Sequence, residues 1–108
     1  MRSLEASEFR VRHNDTDREL VLEVAGELDM ATAPKLWEAL VPLLDTNKPI
    51  AIDLSGVTFL DSQGLNLLVR AHKRAACHDG RLLLRAPRPQ ARKLFQMTNL
   101  DEVFDVED

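Results

Sequence analysis

Ile50-Ala51-Ile52-Asp53-Leu54-Ser55-Gly56-Val57-Thr58-Phe59-Leu60-Asp61-Ser62-Gln63-Gly64-Leu65 is the stretch on which the fold turns. A short aliphatic run, Ile50 to Leu54, gives way to a loop, Ser55 to Ser62, and then to leucines spaced by three and four residues. Aliphatic and β-branched residues, a polar break and then helical periodicity predict strand, turn and helix, with Asp61 and Ser62 at the helix start. A serine hydroxyl is thereby placed at the surface, on the positive end of a helix. Such a serine can be a simple cap, a nucleophile or a phosphorylation site.

Working outward, the helix is predicted from about Ser62 to Cys77, with Leu65, Leu68, Val69, His72 and Ala76 facing inward and Asn66, Arg70, Lys73 and Arg74 facing water. Gly80 suits its left-handed stop, Arg81 to Arg85 is a further strand, and Pro87 and Pro89 introduce a third helix. Ala91, Leu94, Phe95 and Thr98 form that helix's buried stripe, Asn99 ends it, and Val103, Phe104 and Val106 close the chain as a short apolar strand or tail. Upstream, the alternating segments Phe9–His13 and Leu20–Ala25 flank the turn cluster Asn14-Asp15-Thr16-Asp17 and pair as a hairpin. Gly26-Glu27-Leu28-Asp29 then breaks the strand, and Thr32 or Asp29 caps a helix with Pro34 in its first turn. Leu36, Leu40, Leu43 and Leu44 are its apolar stripe, and Pro42 predicts a kink or change of register near Glu38 to Val41.

The order β-β-α-β-α-β-α-β requires crossover connections, so the central strands are parallel and the first hairpin adds an antiparallel edge. The expected fold is α/β: one domain over residues 1–108, a mixed central sheet with helices packed mainly on one face. The strand Ile50–Leu54, apolar throughout except for Asp53, fits a central position covered on each side. Functional sites in such sheets gather outside the carboxyl ends of the strands. Here the loops Gly26–Ala31 and Ser55–Ser62 can form one surface containing Glu27, Asp29, Asp61 and Ser62.

Composition excludes several classes. With 108 residues, 44% of them hydrophobic, the chain suffices for one core. Its net charge of −4 is spread over both signs without a basic stripe, which argues against nucleic acid or an anionic membrane surface as a partner. The single cysteine, Cys77, reads as a small buried filler. Met1 to Ser7 lacks the apolar run of a signal peptide and no segment suits a membrane span, so a soluble cytoplasmic protein is expected.

Gly26-Glu27-Leu28-Asp29, the stretch Ile52 to Leu65, Gly80-Arg81-Leu82 and Thr98-Asn99-Leu100-Asp101-Glu102-Val103-Phe104 together resemble the STAS domain of bacterial anti-sigma factor antagonists, over about residues 9 to 106. The specific part is Asp-Ser-x-Gly-Leu after a strand ending Leu-Ser-Gly-Val, combined with the Gly-Glu-Leu-Asp turn. The resemblance implies a partner switch used in programmes such as stress response or sporulation. The unmodified protein binds an anti-sigma factor that is itself a serine kinase, so releasing a sigma factor. Phosphorylation on Ser62 ends the binding, and a metal-dependent PP2C-type phosphatase restores it. ATP belongs to the kinase, and no nucleotide or metal cofactor is implied for this chain.

Each selected residue also has a plainer reading. Ser62 and Asp61 can be caps, Asp29 and Glu27 solvated turn residues, and Gly64 a position where another backbone comes close. Leu65 facing inward leaves Leu67 half exposed beside Ser62 as an apolar anchor for the partner. Gln63 stands where family members commonly carry a second serine or threonine, and the sequence after Val106 is too short for the further helix that antagonists often have. Three rivals remain. A hydrolase would need glycine at Leu60 and a base closer than His72, His13 or His78. A receiver domain with Asp53 as phosphoacceptor lacks the paired acids and late lysine. A STAS module that is never phosphorylated, serving as a scaffold or sensory-complex subunit, is the third.

Overall fold

The polar turn after the first strand folds the chain back on itself: Asn14 N–H donates to the Val21 carbonyl at 2.9 Å and Val21 N–H to Asp15 Oδ1 at 2.9 Å. It joins β1 (Arg10–His13) antiparallel to β2 (Leu20–Leu28). This computed structural model describes residues 8–108, so the expectation about a leader over Met1 to Ser7 lies outside the described residues. After β2 come α1 (Ala33–Leu44), β3 (Pro49–Leu60), α2 (Ser62–Cys77), β4 (Arg81–Arg85), α3 (Pro89–Met97), a 3-10 turn at Leu100–Glu102, and β5 (Asp105–Glu107). The strands lie in the order β1-β2-β3-β4-β5, and every pairing after the first is parallel.

Each parallel connection steps one strand in the same direction, and right-handed crossovers of that kind leave their helices on a single face. The core agrees. Leu22, Ile50, Ile52 and Leu84 form one buried cluster with Leu36 and Leu40 of α1, Leu68 and Ala71 of α2, and Phe95 of α3. Ala51 and Val21 are buried outside that cluster, with Ala51 set in register between Val21 and Leu83. Hence β3 is central but covered by helices on one face only: the small Ala51 is hidden by its strand neighbours, not by a second helical layer.

Two strands run further than their patterns predict. β2 continues through Gly26, whose φ is +99°, to Leu28, and β3 continues through the expected loop to Leu60. The reason lies in their pairing. From Glu23 to Leu28 β2 advances five residues, whereas its partner advances seven, from Asp53 to Leu60, so β3 bulges twice. Inward residues of β3 are therefore Ile50, Ile52, Leu54, Val57 and Leu60, with spacing that changes from two to three after Leu54.

The helices bring smaller corrections. α1 passes through Pro42 without a change of register, since Leu36, Leu40 and Leu44 are all fully buried. Pro42 and Glu38 both lie on the exposed side, where water can take the carbonyl that loses its partner. Leu43 is only partly buried. On α2 the buried face is Leu65, Leu68, Ala71 and Ala75, with Leu67 added where α1 leans on it; Ala76 and Cys77 are exposed, so Cys77 is not a buried filler. Thr98 is exposed, its hydroxyl donating to the Leu94 carbonyl at 2.8 Å.

Gly64 gives a sharp test of this packing. A Cβ there would lie 2.6 Å from the Leu28 carbonyl oxygen and 2.6 Å from Leu60 Cδ1. On an open helix, Gly→Ala gains about 1 kcal/mol. Here overpacking against a fixed strand end wins, and Gly64→Ala should destabilise by about 1–3 kcal/mol. A lower denaturant midpoint at unchanged slope is the expected result.

Candidate functional site

β2 and β3 end level with each other: Leu28 is in register with Leu60, and Asp61 N–H donates to the Leu28 carbonyl at 3.2 Å. Each strand passes into its helix through an aspartate. After β2, Asp29 Oδ1 accepts the N–H groups of Ala31 at 3.0 Å and Thr32 at 3.1 Å, while the Thr32 hydroxyl donates to the Glu27 carbonyl at 2.7 Å. After β3, the extended Asp61 caps α2, its Oδ1 accepting from Gln63 N–H and Gly64 N–H, both at 2.9 Å. Ser62 is the exposed first residue of α2.

The cap governs what Ser62 can do electrostatically. The N–H groups of Gln63 and Gly64 are the donors that an anion at this helix start would otherwise occupy, and the Asp61 carboxylate already holds them. A charge added to the Ser62 oxygen is thus left outside the cap, next to Asp61 and across the strand ends from Asp29. Any charge gained at Ser62 is presented to whatever docks there.

The chain matches the family model described as "Mlab, STAS domain" over residues 11–106. It is 33% identical over 96 residues to the anti-sigma-B factor antagonist of Bacillus subtilis, covering 89% of this chain and 86% of that protein. The corresponding protein of Listeria monocytogenes is 33% identical over 99 residues, covering 91% and 86%. An anti-sigma factor antagonist from Mycobacterium paratuberculosis superposes with a TM-score of 0.82 at 32% identity, over 94% of this chain and 86% of that one. The chain belongs to the STAS-domain anti-sigma factor antagonist family.

On this STAS scaffold the expected site residues separate into two groups. Asp29, Asp61, Ser62 and Gln63 come together at the paired strand ends, all at least partly accessible. Glu27 is exposed but sits one residue earlier, in register with the exposed Phe59, while its neighbour Leu28 points into the core. Gly64 is buried under the Leu28 carbonyl and acts as a spacer, as its plainer reading holds. Leu67 is 3% exposed, so the expectation of a half-exposed anchor is corrected: α1 covers it, and it floors a hollow beside Gln63.

That hollow, about 270 Å3 between the starts of α1 and α2, holds residues the sequence reading missed. Met30 is 73% exposed on its rim, and the Arg70 guanidinium lies over the Trp37 ring, 4.2 Å from its centroid. A methionine directly after the Asp29 turn and the chain's one tryptophan were available signals; their convergence depended on how α1 meets α2. The histidines considered as bases lie elsewhere: His13 on the edge strand, His72 against Phe104 and His78 beside Asp45 at the far end of α2. Among the described residues no group of His, Cys, Asp and Glu side chains is arranged to hold a metal ion, and no helix is long and apolar enough to cross a membrane.

Asp61→Ala removes the acceptor for two N–H groups and should cost about 1 kcal/mol, within the range of about 0.5–2 for helix caps. Asp61→Asn keeps the acceptor oxygen and should recover most of the loss. Thermal unfolding of the three proteins at neutral pH provides the comparison.

Proposed function

We propose that this chain is a phosphorylation-controlled partner switch: with Ser62 unmodified it binds an anti-sigma factor serine kinase and thereby frees a sigma factor, and phosphorylation of Ser62 ends the complex. A PP2C-type phosphatase returns it to the binding form, and the cycle runs in the cytoplasm. The observation that carries this reading is an exposed serine at the first position of α2, set beside a cap whose carboxylate has already taken the neighbouring backbone donors. Names of relatives such as the anti-sigma-B factor antagonist supply the class of partner.

A phosphate brings about −1.5 to −2 charges at neutral pH. In the free domain it is solvated and leaves the buried core untouched. In a complex seated on Asp29, Asp61 and Ser62 it is pressed against like charge and against the partner's own surface. Like-charge contact at an interface costs several kcal/mol, and each 1.4 kcal/mol is about tenfold in affinity.

Incubation with anti-sigma factor kinases and ATP, followed by mapping of the added mass, should place one phosphoryl group on Ser62. Ser62→Ala should bind the kinase as tightly as the native chain and resist inactivation, and Ser62→Asp should bind at least about tenfold more weakly. Absence of label with every such kinase from the source organism would instead support the STAS scaffold that is never modified.

A further inference from the structure

β4 follows β3 only as far as the Asp53–Arg85 pair, yet β3 runs on to Leu60. Beyond that point β2 continues on one side of β3, and the other side has lost its strand neighbour. The start of α3 takes over there. Arg88 Nε donates to the Ser55 carbonyl at 2.7 Å. The Gln90 carboxamide closes both backbone groups of Leu60: Leu60 N–H donates to Gln90 Oε1 at 2.9 Å, and Gln90 Nε2 donates to the Leu60 carbonyl at 2.8 Å. One side chain thus supplies both the donor and the acceptor that an adjacent strand would offer.

The next residue is held from the opposite side, since Asp61 N–H donates to the Leu28 carbonyl at 3.2 Å. The backbone entering Ser62 is therefore fastened alternately, Leu60 to α3 and Asp61 to β2. Gln90 is well placed for this because Pro87 and Pro89 fix two φ angles in the segment that carries it, and it lies in the first turn of α3. We propose that Gln90 is a positioning residue for the switch: its carboxamide sets the height of the β3 terminus and hence presents the Ser62 hydroxyl to the kinase. The structural half of this proposal stands on the hydrogen bonds alone, and the kinetic half rests on Ser62 being the phosphorylated group.

Glutamate at position 90 tests the carboxamide pattern itself. A neutral carboxylic acid can accept from Leu60 N–H and donate to Leu60 C=O, whereas a carboxylate cannot donate and faces the carbonyl oxygen with a charge. The bonded form is the neutral one, so the folded pKa of Gln90→Glu rises above the ordinary carboxyl value. The clamp is then present below that ordinary value and lost as pH rises through the raised one.

Amide hydrogen exchange by NMR should show Leu60 losing about tenfold of its protection in Gln90→Ala, the equivalent of one net hydrogen bond, while Leu22 and Ile52 at the sheet centre keep theirs. In Gln90→Glu the loss should appear at pH 7 and be largely reversed near pH 4, measured against the native chain at each pH. With a kinase that labels native Ser62, Gln90→Ala should lower kcat several-fold at a nearly unchanged KM, since the exposed docking residues stay in place. Unchanged protection at Leu60 in Gln90→Ala, or no pH dependence in Gln90→Glu, overturns the clamp. A normal kcat despite lost protection overturns its role in presenting Ser62, and a native chain that no kinase labels removes the switch while leaving the exchange result to judge the clamp.

Discussion

The parallel pairing of β2 with β3 is the constraint from which the rest follows. Because β3 absorbs two extra residues as bulges, strands of unequal length finish level, with Leu28 beside Leu60. That common end sets two aspartate turns side by side, and two helices leave from them in the same direction. Gly64 belongs to the same constraint. Its missing side chain lets the first turn of α2 settle onto the Leu28 carbonyl, so the site and the core meet at one tightly packed point.

The same pairing explains what was legible in the sequence. Ser62 to Cys77 could be placed because an aspartate cap, a serine and leucines at helical spacing agree with one another. The extent of β3 could not, because alternation is the signal for a strand and each bulge breaks it. After Leu54 the inward residues are three apart, at Val57 and Leu60, and Ser55-Gly56 in between has the composition of a turn. Gly26 misled in the same way. A glycine followed by Glu27-Leu28-Asp29 suggests the end of a strand, yet here, at φ +99°, it accommodates a close approach, a Cβ at that position meeting the Phe9 Cα at 2.9 Å. At the site, Asp29, Asp61 and Ser62 were legible because local capping chemistry decides them. Leu67 was misjudged because its burial comes from α1, and Gln90 was invisible because its partner lies thirty residues away, across a connection that pattern alone does not measure.

A division of labour follows between the two faces of the strand ends. Below them, Leu28, Leu60 and Leu65 are nearly or fully buried and fix the positions of the turns. Above them, Asp29, Asp61, Ser62, Gln63 and the rim residue Met30 meet solvent. Stability resides in the first set, and the recognition proposed above is assigned to the second. A change of charge in the exposed layer leaves the packed layer without a reason to move, which suits the proposed cycle of binding and release without unfolding.

The magnitude of such a switch depends on where the charge is measured. Two unit charges about 4 Å apart repel by about 1 kcal/mol in bulk water and by about 4 kcal/mol at an effective dielectric of about 20, the environment of a partly desolvated contact. A phosphate beside Asp61 therefore costs the free domain little, and mobile ions reduce the cost further. Once a partner excludes water from the same atoms, the repulsion grows about fourfold, and the extra fraction of charge on the phosphate increases it again. The penalty falls on the complex and not on the fold because Asp61 holds the Gln63 and Gly64 N–H groups, leaving them unavailable to neutralise the newcomer. A cap of neutral serine or threonine would hold the same groups without adding charge. In the proposed switch, aspartate thus serves the helix and the release step with one carboxylate.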